Sequence, residues 1–375
     1  MQGRIYLDFN ASTPIAPEVA DAMRPFLERH YGNPSSPHWA SVPAKQALDA
    51  ARAQAAELLG CAPGEIVFTS GGSEASNHGI KGTFFARGGS GHIVTTSIEH
   101  PATLNPCRFL ERLGAQVSIV GVDKAGRVDP DAVRRALKPE TFLVSVMHAN
   151  NEVGTLQPIR ELSAILRPRG ILLHCDAAQS VGKLPVRMDE LGADLLSVAG
   201  HKFYAPKGVG LLYVRNGVKL EPLIHGGGHE SGRRAGTENV LLCVGLGAAC
   251  ALAQRVLATA PEQMRILRER LWHGLQARLG ARVSLNGHTT ERLPNTLNVN
   301  FIGRIGAEVL AKLEGVAAST GSACHAGQRE LSPVLQAMGV PADHGLGAVR
   351  FSIGRGTTEA EIDAVLALVE KHFKD

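Results

Sequence analysis

Seven short runs rich in Val, Ile, Leu and Phe punctuate the first 215 residues, and they constrain the fold more than any other feature. They are EIVFTS (65–70), HIVTTS (92–97), QVSIVGV (116–122), TFLVSVMH (141–148), ILLHCDA (171–177), DLLSVAG (194–200) and GVGLLYVR (208–215). Several are apolar almost throughout, the pattern of strands buried on both faces of a sheet. Helical patterns lie between them. PAKQALDAARAQAAELLG (43–60) opens on a proline suited to a first helical turn and closes on a glycine suited to a C-terminal stop. Strands alternating with helices predict βαβ units and an α/β fold with a mainly parallel, seven-stranded sheet.

Beyond residue 255 the texture changes. PEQMRILRERLWHGLQARLG (261–280) reads as a long amphipathic helix and LPNTLNVNF (293–301) as a strand. TEAEIDAVLALVEKHF (358–373) reads as a closing helix, with Thr358 and Glu361 spaced for a capping box. These elements predict a smaller α+β domain of residues 256–375, joined by 1–12, beside a large domain of 13–255. A chain of 375 residues is long enough to give both a core.

The net charge of +4 is spread thinly and no long Lys/Arg run is present, so nucleic acid is not an expected partner. The N-terminus, MQGRIYLDFN, has no apolar stretch of signal-peptide length, and no run of about 18 apolar residues suggests a membrane span. The six cysteines are irregularly spaced and form no CxxC pair, which argues against a disulfide framework or a zinc site. A reducing cytoplasm is the expected location.

In open α/β sheets, ligands gather outside the carboxyl ends of strands. Three strand ends carry chemistry there. Asp176 ends ILLHCD, where it reads equally as a helix cap or as the partner of a cation. Lys202 follows SVAGH, where it is either a solvated charge or a partly desolvated amine able to form an imine. FTSGGSEASN (68–77) passes through Gly71, Gly72 and Ser73 into a helical pattern, and a helix start of that kind holds phosphate. Jointly these suggest pyridoxal 5′-phosphate, which needs a lysine for its aldehyde and an acid beside its ring nitrogen. AAQSVGKL (177–184) nearly matches a nucleotide-binding loop, but Ala177 replaces the first required glycine and Leu184 follows Lys183. Nucleotide binding is rejected on that ground. ASTGSACHAGQ (318–328) sets Cys324 among small residues with nothing bulky beside it.

The segments YLDFNAST, GNPSSP, FTSGGSEASN, IEHPA, HANNEVG, DAAQSVGKLPV, GHKFYAPKG, HGGGHE, RAGTENV, STGSACHAG and VRFSIGR occur in the order found in the pyridoxal-phosphate cysteine desulfurases and selenocysteine lyases. The chain resembles that family, of the class V aminotransferase fold, from about residue 5 to 370. The resemblance implies a type I pyridoxal-phosphate transferase fold. Lys202 would hold the cofactor and Asp176 would pair with its ring nitrogen. His100 would stack on the ring, with Asn151 and Gln179 on the ring substituents. Gly72, Ser73 and His201 would bind the phosphate. Thr237 would reach the phosphate of a neighbouring subunit, which implies a homodimer with shared active sites. Arg350, assisted by Asn33, would clamp the substrate carboxylate, leaving Arg355 a structural role.

The resemblance also gives Cys324 a purpose. Lys202 would move the α-proton of L-cysteine, and the Cys324 thiolate would attack the substrate sulfur. Alanine would leave, and the persulfide would be carried to a sulfur-acceptor protein by a loop of small residues. A protonated His325 would lower the thiol pKa. Two departures are present, at Ala199 and at His325, which is not the usual desulfurase residue after the cysteine. Ala199 stands where the family usually has Ser, which removes one phosphate hydroxyl. Ala199 and SACH also resemble the selenocysteine lyases, which act on L-selenocysteine. An aminotransferase or other β-eliminating enzyme would need no loop thiol. A scaffold without activity would need none of Lys202, Asp176 and Arg350.

Overall fold

The computed structural model describes residues 4–320 and 330–373. Strand β1 (Ile5–Tyr6) comes first. Then follow β2 (Ile66–Thr69), β3 (His92–Thr96), β4 (Gln116–Val120), β5 (Thr141–Met147), β6 (Leu172–Asp176), β7 (Leu195–Ala199) and β8 (Gly210–Val214). The remaining strands are β9 (Val283–Asn286), β10 (Thr296–Phe301), β11 (Val316–Ala317) and β12 (Ala348–Ser352). All seven apolar runs form strands, trimmed by no more than two residues at either end.

These seven make one sheet in the order β2-β8-β7-β6-β5-β3-β4. Only β8 runs against its neighbours β2 and β7. Its link from β7 spans only residues 200–209, too short for the crossover helix that a parallel return needs. Neighbouring residues of a strand enter opposite cores, as a period of two requires. Leu196, Leu211 and Phe68 pack on one face, and Leu195, Leu212 and Val67 on the other. On the first face, helix Val240–Val256 lies against helix Val42–Leu59. A Cβ at Gly247 would sit 2.5 Å from Ala51 Cα, so only glycine permits that approach. Among the described residues no single helix is long and apolar enough to cross a membrane.

A separate core gathers Leu7, Leu271, Leu275, Val299, Phe351 and Val365 around a small antiparallel sheet ordered β12-β10-β9. Helices Ala260–Leu279 and Glu359–Phe373 cover it. The expected capping box is present: Thr358 N–H donates to Glu361 Oε2 at 2.8 Å, and Glu361 N–H to Thr358 Oγ1 at 3.3 Å. β1 pairs in parallel with β11, Ile5 opposite Val316 and Tyr6 opposite Ala317. That pairing draws residues 8–12 toward the end of β7, where Thr13 N–H reaches the His201 carbonyl at 2.9 Å.

Candidate active site

Each candidate residue of the large sheet is delivered by the carboxyl end of a strand. Asp176 is the last residue of β6, and Lys202 closes the short turn Gly200–Lys202 after β7. Gly72 and Ser73 begin helix Gly72–Ala86 just past β2. His100 caps helix Pro101–Glu111 after β3.

Lys202 Nζ donates to the backbone oxygens of Asn10 at 2.7 Å and Ala11 at 3.0 Å. No carboxylate pairs with it among the described residues. Burial, and then the charge of Arg350, push its amine down to about 8, against the pull of Asp8 and Asp176. Asp176 is 9% exposed, and its Oδ1 accepts the Ala178 N–H at 2.9 Å. Burial raises its pKa, offset by that hydrogen bond, His100 and Lys202. Its second oxygen has no hydrogen-bond partner among the described residues. His100 accepts the Ala102 N–H at Nδ1, 3.0 Å away, which places the proton of the neutral ring on Nε2. Desolvation lowers its pKa, opposed by Asp176 and reinforced by Lys202.

The hub of the site is a residue the sequence reading did not assign. Asn10 lends its carbonyl to both Lys202 and Gln179 Nε2, the latter at 3.0 Å. Its side-chain oxygen accepts from Lys183 Nζ and Asn295 Nδ2, both at 3.0 Å. Its Nδ2 donates to Thr296 Oγ1 at 2.8 Å, and its N–H to Ser352 Oγ at 2.9 Å. One residue thus ties β10 and β12 to the ends of β6 and β7. The motif YLDFNAST contains it, but no spacing within that motif signals the role.

Arg350 is 3% exposed and already engaged. Its Nη2 meets Asp8 Oδ1 at 2.8 Å, and its Nη1 donates to the Asn151 carbonyl at 2.9 Å. Its buried Nε has no hydrogen-bond partner among the described residues. A carboxylate arriving here would have to share Arg350 with Asp8. Asn151 enters the network through its backbone oxygen, and Gln179 through both ends of its amide. Asn33 is exposed, and its Oδ1 closes a local turn by accepting the Ser35 N–H at 2.9 Å. No hydrogen bond joins Asn33 to Arg350. Arg355 lies 4.8 Å from the Tyr204 ring centroid and donates its N–H to Tyr204 Oη at 2.7 Å, a packing role.

At the other end, Gly71 takes φ 152° and the helix begins at Gly72. The first-turn N–H groups of a helix have no acceptor within it. A Cβ on Gly72 would lie 3.1 Å from Ala199 Cβ, so Ala199 faces this helix start and brings no hydroxyl to it. His201 Nδ1 lies 3.3 Å from Ser12 Oγ. Burial and the charges of Lys202, Lys207 and Lys183 push its imidazole down to about 4, so it serves as a neutral group. Thr237 is exposed on a segment held by the ion pairs Arg52–Glu230 at 2.7 Å and Arg234–Glu74 at 2.9 Å and by a hydrogen bond between His229 Nδ1 and Glu238 Oε2 at 3.0 Å.

These groups fit pyridoxal 5′-phosphate. The amine has only neutral oxygens as partners, the buried carboxyl has one oxygen to spare for a ring nitrogen, and the helix start with Ser73 suits a phosphate. Burial pushes the thiols of Cys61, Cys107, Cys243 and Cys250 up to about 12, which leaves little thiolate at neutral pH. Cys324 and His325 lie outside the described residues.

The family model for class-V aminotransferases matches residues 5–365. Cysteine desulfurase IscS of Dictyoglomus turgidum is 46% identical over 374 residues, 99% of this chain and 95% of that relative. A solved NifS-like protein superposes with a TM-score of 0.92 at 38% identity, covering 98% of each chain. A structure described as SspA in complex with cysteine superposes with a TM-score of 0.84 at 36% identity, covering 94% of this chain and all of the other.

Proposed function

The chain belongs to the aminotransferase class-V family, and we propose that it is a pyridoxal-phosphate-dependent cysteine desulfurase. It converts L-cysteine to L-alanine and retains the sulfur as a persulfide on Cys324. The observation that carries this reading is the placement of Lys202: a desolvated amine at the end of β7, close enough to Asp176 at the end of β6 for that carboxylate to oppose the lowering of its pKa. The whole-length similarity to cysteine desulfurases supports it and favours cysteine over selenocysteine.

When bound, the cofactor supplies an aldehyde for the substrate amine and a ring that withdraws electrons from the substrate Cα. The chain does the rest. Lys202 would hold the cofactor at rest; its freed amine would take the proton from the substrate Cα, and Cα would regain one before alanine leaves. The lowered pKa of Lys202 suits that duty near neutral pH. Asp176 would pair with the ring nitrogen and keep it protonated, and His100 would stack on the ring. Gly72, Ser73 and His201 would hold the phosphate, and Arg350 would orient the substrate carboxylate. The Cys324 thiolate attacks the substrate sulfur; the Cβ–S bond breaks as the new S–S bond forms, and Cβ takes a proton. L-cysteine and one protein thiol become L-alanine and one persulfide.

Thr237, exposed on its segment, is proposed to complete the phosphate site of a second subunit in a homodimer. The separate cores support a division into residues 13–255 and 1–12 plus 256–375. A cytoplasmic enzyme that passes sulfur to an acceptor protein for iron–sulfur cluster assembly is the proposed setting. The test is a product assay on reductant-free enzyme in a single turnover. One alanine and one persulfide per active site are expected, and neither in Cys324→Ala. Undiminished alanine formation in that variant overturns the persulfide route.

A further inference from the structure

Lys183 lies one turn beyond Gln179 in the segment after β6, on the buried side of the site. It is 5% exposed, and its hydrogen bonds end on neutral oxygens: Gln179 Oε1 at 2.8 Å and Asn10 Oδ1 at 3.0 Å. No carboxylate pairs with it among the described residues. Burial, and then Lys202 and Arg350, hold its amine well below the ordinary lysine range. A buried amine with neutral partners is unfavourable, and methionine would fill the same space without that penalty.

What lysine adds is a direction. Its Nζ donates to both of those oxygens, the Gln179 Oε1 and the Asn10 Oδ1. Beside it, the Gln179 amide must turn its oxygen toward Lys183 and its nitrogen away. One Nε2 hydrogen then goes to the Asn10 carbonyl at 3.0 Å, and the other has no partner among the described residues. The same amine fixes the Asn10 side chain. Its Oδ1 takes hydrogens from Lys183 and Asn295, and its Nδ2 gives to Thr296 Oγ1 and, at 3.3 Å, to the Asn151 carbonyl. With both ends of that amide committed, the Asn10 carbonyl stays aimed at Lys202 Nζ, 2.7 Å away.

We infer that Lys183 is a positioning residue: it orients the Gln179 amide so that an N–H faces the oxygen substituent of the cofactor ring, and it aims the Asn10 carbonyl at Lys202. The inference rests on the pyridoxal-phosphate reading above. It gives a use to the residue that a near-match to a nucleotide-binding loop had singled out in the sequence.

The test compares purified holoenzyme with Lys183→Met, Lys183→Arg, Gln179→Leu and the double variant K183M/Q179L. Cofactor stoichiometry and thermal midpoint are recorded first. The deciding readout is the pH midpoint of the bound cofactor's visible absorbance. An N–H donated to the ring oxygen favours its ionised form, so losing it moves the midpoint to higher pH. Asp8, His100, Asp176, Lys202 and Arg350 surround the site in every variant. The midpoint of Lys183→Met should rise by about one pH unit, the size of one hydrogen bond to an ionised group. Lys183→Arg, which keeps a donor, should stay nearer wild type, and the double variant should move no further than Gln179→Leu alone. Lys183→Met loaded with cofactor and titrating like wild type overturns the inference. If Lys183→Met does not fold, Gln179→Leu still decides: an unchanged midpoint there overturns it too. A wild-type protein with no cofactor band would remove the functional reading itself, a separate outcome.

Discussion

At the ring end of the site, Asn10, Gln179, Lys183 and Lys202 share a set of hydrogen bonds between 2.7 and 3.0 Å, drawn from three separate stretches of chain. At the phosphate end, a helix start faces Ala199, which has no donor, and His201, whose imidazole is held neutral. Thr237 stands outside, exposed. The chain therefore preorganises one end by itself and leaves the other to be completed by its ligand and, in the proposed homodimer, by a second subunit. Chemistry that must place a proton on a chosen atom needs the first kind of construction. Holding a phosphate tolerates the second, because backbone N–H groups and charge suffice.

The contrast can be broken from either side. The largest expected effect is at the ring end: Lys202→Ala should lower alanine formation by about 10³-fold or more, since the proton on the substrate Cα loses its acceptor. Retained turnover, measured as alanine released, would show that the preorganised amine is not the base. Next is a pH effect. Lys202 titrates at about 8, and only its neutral amine can take up the cofactor. The neutral fraction grows roughly tenfold between pH 7 and 9 and then levels off, so the stopped-flow uptake rate of cofactor-free enzyme should follow. Asp8 opposes the depression of that pKa, so Asp8→Asn should move the profile to lower pH.

The phosphate end should respond more mildly. Ala199→Ser restores a hydroxyl opposite the helix start and should tighten the cofactor Kd about fivefold, the worth of one net hydrogen bond, by equilibrium dialysis. Looser binding in that variant would mean that the helix start is already saturated. Thr237→Ala should weaken cofactor binding only about twofold to threefold and raise the protein concentration at which light scattering shows dimer. The ring-end network should be untouched, so the pH profile of uptake should not move.

The sheet was legible because its strands are buried on both faces and so read as continuous apolar runs. Asp176, Lys202 and Gly72 were legible because strand ends are where such a sheet opens. Asn10, Asp8 and Lys183 were not. The Asp8–Arg350 pair joins residues 342 apart, and the Asn10–Asn295 bond residues 285 apart, so no local periodicity encodes either. The same blindness affects Arg350: the motif VRFSIGR named it as a substrate clamp, and only the folded chain shows that Asp8 already holds it. Asn33 was placed beside it by resemblance, but its side chain is spent on a local turn. Lys183 was visible and set aside, because its neighbours failed a nucleotide-loop pattern and its actual partner, Asn10, lies in a distant segment.

Borohydride reduction of the freshly purified holoenzyme, followed by peptide mass spectrometry, tests the central claim most directly. A single pyridoxyl adduct on Lys202 is the predicted result. Active protein whose adduct sits on Lys183 or elsewhere, or that carries none, would contradict the account.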